Sequence, residues 1–444
     1  MKLHEVMRLD EPCRVAVVGA GGKTSTLWRL AEGLSGKVVI TTTTHLGLDQ
    51  IDKAEQQIFI EPEDDLTKVD WMNSSRIVSI TGPAIDGHRL SGLTQVQIDR
   101  SSQISKDYNF SILIEADGAQ MLPLKAPGEH EPVIPGWVDA AIVLAGMPAL
   151  GKPLDDKSVF RVKDFSTLSG IPEGEPITAE GIQKVLCNPD GGLKGIPEKA
   201  RRILALNQAE DHEDQPEIMR IANYCKDVYD QVLITSLDLA QPEPLIYARV
   251  ESVAAIILAA GGATRMNGLP KPLLQFQDES LVRRAVRTAI RAGLAPVIVV
   301  TGYRSDVVVK SLDGLDIEVI ENLDWENGQS SSIRAGIQQL GSRSGAAIFM
   351  LVDQPFTSWE LLEALMEEHR KTLSPIIAPL VDDQRSNPVI FDRVTFEELS
   401  TIKGDTGGRA IMGHFEHSWL PWLDQRILMD IDTPEDLERC INAA

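Results

Sequence analysis

Two stretches of this sequence place glycines, a lysine and hydroxyls where they could grip phosphate. The first is Gly19-Ala20-Gly21-Gly22-Lys23-Thr24-Ser25-Thr26. The second is Gly261-Gly262, with Arg265 and Lys271 close behind. Glycines let backbone N–H groups approach an anion closely, and a turn of such donors forms an anion-binding concavity. In the first stretch Gly19, Gly21 and Gly22 would form the cradle, Lys23 would reach the terminal phosphates and Thr24 would ligate Mg²⁺. In the second, Gly261 and Gly262 would turn the chain, and Arg265 and Lys271 would supply fixed positive charge to a nucleoside triphosphate. Carboxylates complete each set. Glu115 and Asp117 are two apart and would share one strand face, so Glu115 suits a metal position beside the first loop. Asp353 follows the apolar run Ala346–Val352, and Asp432 stands just ahead of Thr433-Pro434, each at an expected strand end where a metal carboxylate would sit.

The elements that must carry these residues alternate strand and helix. Arg14–Val18 reads as a strand, the glycine loop follows, and Leu27-Trp28-Arg29-Leu30-Ala31-Glu32-Gly33-Leu34 has helical spacing. The eight-residue Walker pattern wants glycine where Val17 stands, but the shorter G-x-x-G-K-T-[ST] form fits fully. Strands are expected at Lys37–Ile40 (running into Thr41-Thr42-Thr43-Thr44-His45), Ile77–Ile80, Ser111–Ile114, Ala140–Leu144 and Gln231–Thr235. Another, from Arg201, ends in Asn207-Gln208, whose amides could read a base or ribose. The acidic run Asp211 to Asp214 reads as a solvated loop or a helix start. Such alternation predicts a parallel sheet with helices on both faces and ligands at the strands' carboxyl ends. The break Gln241-Pro242-Glu243-Pro244 divides the chain into expected domains 1–245 and 250–444, and the pattern then restarts. Strands are expected at Ala254–Ala259, Pro296–Thr301, Ile317–Glu321, Ala346–Val352 and Ile376–Val381. Helices are expected at Ser280–Ala292 and Trp359–Lys371. Asn327–Gly336 opens a further helix, with Ser331 and Ser332 at its N-terminus facing the nucleotide's place. Gly404–Ala410 is a second glycine turn leading into a helix. Thr433 caps the last helix, with Pro434 first and Asp436 third.

Composition narrows the partners. A net charge of -22 and a pI near 4.8 argue against non-specific binding to nucleic acid or to a membrane surface. A polyanionic substrate must then be held by a local basic pocket or by metal ions. The four cysteines (Cys13, Cys187, Cys225, Cys440) are scattered without a C-x-x-C, so neither disulfides nor a thiolate metal cluster is expected, and a reducing cytoplasm is the expected setting. No signal pattern opens the sequence, and no apolar run reaches the length of a membrane span.

Two resemblances are specific. The set Gly19–Thr26, Thr41–His45, Glu115–Pro135 and Arg201–Gln208 resembles the selenium-dependent hydroxylase accessory family, YqeC-type, over roughly residues 10–240. It implies a nucleotide-binding role, ATP being the expected nucleotide, in maturing molybdenum hydroxylases, with a target hydroxylase as transient partner. The motifs Ile256–Leu274, Thr301–Tyr303, Glu326–Gly336, Val352–Pro355, Ser386–Phe391, Gly404–Ala410 and Asp430–Leu437 resemble the MobA-like molybdenum cofactor nucleotidyltransferases, most closely the cytidylyltransferase branch, over about residues 253–443. That resemblance implies a triphosphate held by the glycine loop with Arg265 and Lys271, and Mg²⁺ on Asp353 and Asp432. It also puts the Asn327–Ser332 loop near base and ribose, and Asn387 and Asp405 near the pterin. The usual R-M-G is here Arg265-Met266-Asn267, with Gly268 displaced by one. Together they imply an α/β chain of two doubly wound domains, an N-terminal P-loop-like nucleotide-binding domain and a C-terminal Rossmann-like nucleotidyltransferase domain. The implied reaction moves CMP from CTP to a molybdopterin-type cofactor and releases pyrophosphate. Two other readings stay open: a first half that is a nucleotide-gated chaperone without net chemistry, and a second half that uses GTP or a sugar phosphate.

Overall fold

The computed structural model describes residues 1–210, 215–262 and 269–444. Arg265, the displaced Gly268 and the acidic run 211–214 lie outside the described residues. The chain divides into two compact units, Met1–Val250 and Glu251–Ala444.

In the first unit nine strands form one sheet: β1 (Arg14–Gly19), β2 (Val38–Thr42), β3 (Gln56–Phe59), β4 (Ile77–Thr81), β5 (Ser111–Glu115), β6 (Ala140–Gly146), β7 (Arg201–Asn207), β8 (Gln231–Ser236) and β9 (Leu245–Val250). Their order is β9-β8-β7-β6-β1-β5-β2-β4-β3. β2, β5 and β6 are buried along their whole length, as apolar and β-branched strands covered on both faces must be. β3, with two glutamines, alternates half-buried and exposed residues and forms an edge. Neighbours pair in parallel except at the other edge, where β9 runs antiparallel to β8. The proline-rich break therefore does not end this unit. It turns the chain back for one more strand, and a direct reversal can only yield antiparallel pairing.

The second unit has an eight-stranded mixed sheet: β10 (Ser252–Ala259), β11 (Val297–Thr301), β12 (Glu318–Glu321), β13 (Ser344–Leu351), β14 (Ile376–Val381), β15 (Gln384–Arg385), β16 (Val389–Asp392) and β17 (His417–Pro421). The order is β12-β11-β10-β13-β16-β14-β15, with β17 beside β14. β10 to β13 are parallel to one another, while β16 runs antiparallel to both β13 and β14. β10 shows why helices cover both faces. Val253, Ala255, Ile257 and Ala259 pack with Val282 and Val286 of helix Leu281–Arg291 and Leu361 and Leu365 of helix Trp359–Thr372. The alternate residues Ala254, Ile256 and Leu258 pack with Ile333 and Ile337 of helix Gln329–Gln339.

Two local expectations change, and the cysteines add a finding. Asp432 lies in a loop before helix Pro434–Ala443, not at a strand end. The turn at Gly404 leads only into the single 3₁₀ turn Gly408–Ile411. The cysteines, scattered in sequence, are not all apart in space: the Sγ atoms of Cys187 and Cys225 lie 3.4 Å from each other, although all four thiols are free. No described helix is long and apolar enough to cross a membrane.

Candidate functional site

At the carboxyl ends of β10 and β13 the second unit opens a cavity of about 680 Å³, whose wall includes Gly261, Gly262, Lys271, Ser332, Asp353 and Asp405. Parallel strands leave a crevice there, and the loops that follow them line it. Lys271 stands on the short turn Lys271–Leu273. Asp353 stands one residue beyond Val352, which follows β13, and its carbonyl accepts a hydrogen bond from the Ile431 N–H at 2.9 Å. That one backbone bond hooks the loop so that Asp432 arrives beside Asp353. Thr433 and Asp436 then hold the loop's exit through a capping box: the N–H groups of Asp432 and Thr433 both donate to Asp436 Oδ2, at 3.1 and 2.8 Å.

The floor of this cavity is an ion cluster. Lys271 Nζ donates to Asp353 Oδ2 at 3.3 Å and to Asp432 Oδ1. Burial alone would pull the Lys271 ammonium down, but the Asp432 and Asp353 carboxylates outweigh it and raise its pKa. Burial raises the pKa of Asp353 against the opposing pull of Lys271, with Asp432 adding to the rise. Asp430 is raised too, by burial, against the hydrogen bond it accepts from Gln354 Nε2 at 2.7 Å. Three carboxylates thus share one described cation. Asp353 Oδ1 is buried and has no hydrogen-bond partner among the described residues. A buried carboxylate oxygen left unsatisfied is costly unless a cation takes it, so the donor set fits a hard divalent ion on Asp353 and Asp432.

The other expected residues divide. Ser332 lines the cavity, but Ser331 does not. Ser331 Oγ accepts from Asn322 Nδ2 at 2.8 Å and donates to the Gly328 carbonyl at 2.8 Å, and the same amide reaches Ser332 Oγ at 3.0 Å. The helix N-terminus is also partly occupied: Gln329 N–H donates to Asp405 Oδ1 at 3.4 Å and Ser330 N–H to the Gly404 carbonyl at 3.3 Å. Gly328, at φ +91°, permits this approach, since a Cβ there would lie 2.6 Å from the Asp405 backbone. Asn387 lines a smaller adjoining cavity instead. Trp325, one residue before a recognisable motif, was not singled out from sequence. Its indole forms part of the main cavity wall, meets Tyr303 edge to face at 5.7 Å and packs under Gly302. An aromatic in a loop of otherwise polar residues is the signal that could have found it.

In the first unit the loop Gly19–Gly22 joins β1 to helix Lys23–Gly33, and its three glycines have φ of +91°, +83° and +122°. Their smallness serves packing. A Cβ on Gly19 would strike the Leu144 carbonyl, one on Gly21 would lie 2.5 Å from Gly146, and one on Gly22 would strike the Asn207 amide. Two donors of the loop, the Gly19 N–H and the Lys23 ammonium, are engaged by Asp117. Its Oδ2 accepts the Gly19 N–H at 3.0 Å and Lys125 Nζ at 2.8 Å, and its Oδ1 accepts Lys23 Nζ at 2.7 Å. Lys125 extends the chain of charges to Glu131 at 3.0 Å, which Arg161 meets at 2.6 Å. Thr24 Oγ1 accepts from Gln50 Nε2 at 2.5 Å. Glu115 lies 3.5 Å from Lys23, is 4 % exposed, and has one oxygen without a partner among the described residues. Burial raises its pKa, against the pull of Lys23. The Asn207 amide donates to the Gly21 carbonyl at 2.7 Å and accepts from Thr235 at 3.1 Å and Leu237 N–H at 3.0 Å. It ties the loop to β7 and β8.

Known proteins bear on both units. Residues 15–163 match the family described as YqeC protein, and residues 255–419 match the MobA-like NTP transferase domain. The uncharacterized protein YqeC of Escherichia coli (strain K12) is 31% identical over 215 residues, covering 47% of this chain and 82% of that protein. The nicotine blue oxidoreductase of Paenarthrobacter nicotinovorans is 28% identical over 203 residues, covering 43% of this chain and 96% of that protein. Among solved structures, Rv0371c from Mycobacterium tuberculosis H37Rv aligns with a TM-score of 0.39 and 25% identity, covering 44% of this chain and 100% of that one.

Proposed function

From a chain that belongs to the YqeC family and carries a MobA-like NTP transferase domain after its YqeC portion, we propose a molybdenum cofactor cytidylyltransferase joined to a nucleotide-binding maturation factor. In this reading the second unit moves CMP from CTP to the phosphate of a molybdopterin-type cofactor. The first unit binds ATP and serves a target molybdenum hydroxylase, including selenium-dependent ones. The observation that carries the reading is the cavity floor, where Lys271, Asp353 and Asp432 converge with one Asp353 oxygen unpartnered among the described residues.

The chemistry asks for positioning and charge control. An acceptor phosphate oxygen, already anionic, attacks the α-phosphorus of the triphosphate; a P–O bond forms there as the bond to the β-phosphate's bridging oxygen breaks, and pyrophosphate leaves with that electron pair. No general base is needed. A divalent cation such as Mg²⁺ held by Asp353 and Asp432 would supply charge neutralisation between the two anions. Lys271, kept protonated by its carboxylates, offsets negative charge growing on the leaving group, a contribution worth about 100-fold or more in rate where such a group is removed. Gly261 and Gly262 leave room for the triphosphate to approach the backbone, and Trp325 offers an aromatic face to the base.

The test uses the full chain with Mg²⁺, Mo-molybdopterin and CTP, GTP or ATP, and measures pyrophosphate. Release with CTP and acceptor together, lost in Asp353→Ala at an unchanged melting temperature, is the expected result. Transfer retained in Asp353→Ala would sink the site. A preference for GTP, or for a sugar phosphate as acceptor, would replace the substrate assignment. An electron-transfer reaction without pyrophosphate would favour the chemistry that one relative is named for. For the first unit, ATP hydrolysis lost in Lys23→Ala separates an ATPase from a nucleotide-gated chaperone.

A further inference from the structure

Cys187 and Cys225 stand 38 residues apart in sequence, and their Sγ atoms lie 3.4 Å from each other. Cys187 is the first residue past helix Ala179–Leu186, and Cys225 is the last of helix Gln215–Cys225. Hydrogen bonds bring the two helix ends together without help from sulfur. The Cys187 N–H donates to the Gln183 carbonyl at 3.0 Å, and the Cys225 carbonyl accepts the Tyr229 N–H at 3.0 Å. Tyr229 is buried, and its hydroxyl donates to the Leu186 carbonyl at 2.8 Å, one residue before Cys187. One side chain thus ties the turn after Cys225 to the end of the other helix. A disulfide holds its sulfurs at about 2 Å, so the pair must close by about 1.4 Å, which side-chain rotation at two helix ends can supply. The two thiols are not equivalent. Cys187 is half-buried, while Cys225 is fully buried. The hydrogen bond with Cys225 lowers the Cys187 pKa against the opposing effect of burial. The same contact, together with burial, raises the pKa of Cys225. The thiolate is the attacking form, so Cys187 is the one suited to meet a reagent from solvent. Cys13 and Cys440 are buried, and burial pushes both thiols up, that of Cys13 to about 11.

We propose that Cys187 and Cys225 form a reversible thiol–disulfide pair, in which Cys187 attacks a low-molecular-weight disulfide and Cys225 resolves the product. In the first step the Cys187 thiolate bonds to one sulfur of that disulfide. Its S–S bond breaks, and one small thiolate leaves with the electron pair and takes up the proton that Cys187 gave up. In the second step Cys225 Sγ attacks Cys187 Sγ, and the other small thiolate leaves with the Cys225 proton. The protein loses two electrons and two protons, and the small disulfide becomes two thiols. The new bond staples the chain on either side of β7, the strand whose Asn207 holds the Gly21 carbonyl. The pair stays open where thiol is in excess and closes as disulfide accumulates.

The experiment incubates the full chain, reduced beforehand, with oxidised and reduced glutathione in graded ratios. Free thiols are counted after unfolding, and peptides are mapped by mass spectrometry without reductant. The count should fall from four to two, with Cys187 and Cys225 in one linked peptide, and dithiothreitol should restore all four. The oxidised chain should melt about 5 °C higher, because the closed loop restricts the unfolded chain. Cys225→Ala should stop at a glutathione adduct on Cys187, whereas Cys187→Ala should take up no adduct at Cys225. A wild type that keeps four free thiols at the most oxidising ratio overturns the proposal. So does a link between any other pair, or a link that dithiothreitol does not open. Those wild-type outcomes decide the matter even where a variant fails to fold. An adduct on Cys225 in Cys187→Ala, with none on Cys187 in Cys225→Ala, overturns the assigned order of attack. An unshifted melting temperature in the linked chain overturns the staple.

Discussion

Asp117 and Lys271 occupy comparable positions in the two units, each a charged side chain that fills a site expected to hold something else. Asp117 satisfies the Gly19 N–H, Lys23 and Lys125 together, so a phosphate entering the loop must displace a carboxylate. Asp117→Asn should therefore tighten ATP binding by about tenfold, or about 1.4 kcal/mol, read by titration with a fluorescent nucleotide; unchanged affinity would show that the loop is not the nucleotide's site. Lys271 holds apart two carboxylates that would otherwise repel. Lys271→Met should slow transfer by about 100-fold, measured as pyrophosphate release at saturating substrates. Glu115 carries a pH consequence. Its pKa is raised by burial, so its ionised form costs the folded state free energy that the protonated form does not. Stability from this residue is present below the ordinary carboxylate pKa and is lost as pH rises through the raised one. Glu115→Gln imitates the protonated form while Lys23 keeps Asp117. The variant's melting temperature should match the wild type's near pH 4 and exceed it at pH 7 to 8, and the opposite trend would refute the assignment.

At the scale of elements, both sites depend on turns whose neighbours leave no space for a side chain. Gly22 pairs a φ of +122° with the Asn207 amide directly against it. Gly22→Ala should destabilise by about 2 kcal/mol through backbone strain and the lost loop–β7 bond, seen as a lower urea midpoint with an unchanged m-value. Gly328 joins helix Gln329–Gln339 to the Gly404–Asp405 turn, and that turn borders both cavities of the second unit. Gly328→Ala should consequently raise KM for nucleotide and acceptor together. Much of this level was legible in advance. Strand and helix positions followed from apolar runs and glycine punctuation, and the Thr433 capping box from its residues alone. Asp432 shows where local reading stopped: its neighbourhood is set by the Ile431–Asp353 backbone bond, between residues 78 apart in sequence, which no local pattern encodes.

At the scale of the whole molecule, each unit has its own sheet and its own core. Two cores predict two thermal transitions, with Gly22→Ala lowering one and Gly328→Ala the other. Coincident shifts of both transitions in either variant would show that the units unfold as one. The chain joins a YqeC-family portion to a MobA-like NTP transferase domain.

The sequence by itself determined the alternation of strand and helix, the glycine loops, the residue types able to meet phosphate and metal, and both family resemblances. These depend on periodicity, backbone freedom and side-chain chemistry, all of which are local. Only the tertiary structure decided how each charge is spent. It gave Lys23 to Asp117, set Lys271 between Asp353 and Asp432, and used Ser331 and Asn207 to hold loops. The reason is physical: a buried polar group must find a partner, and which partner it finds depends on residues that meet only when the sheets close.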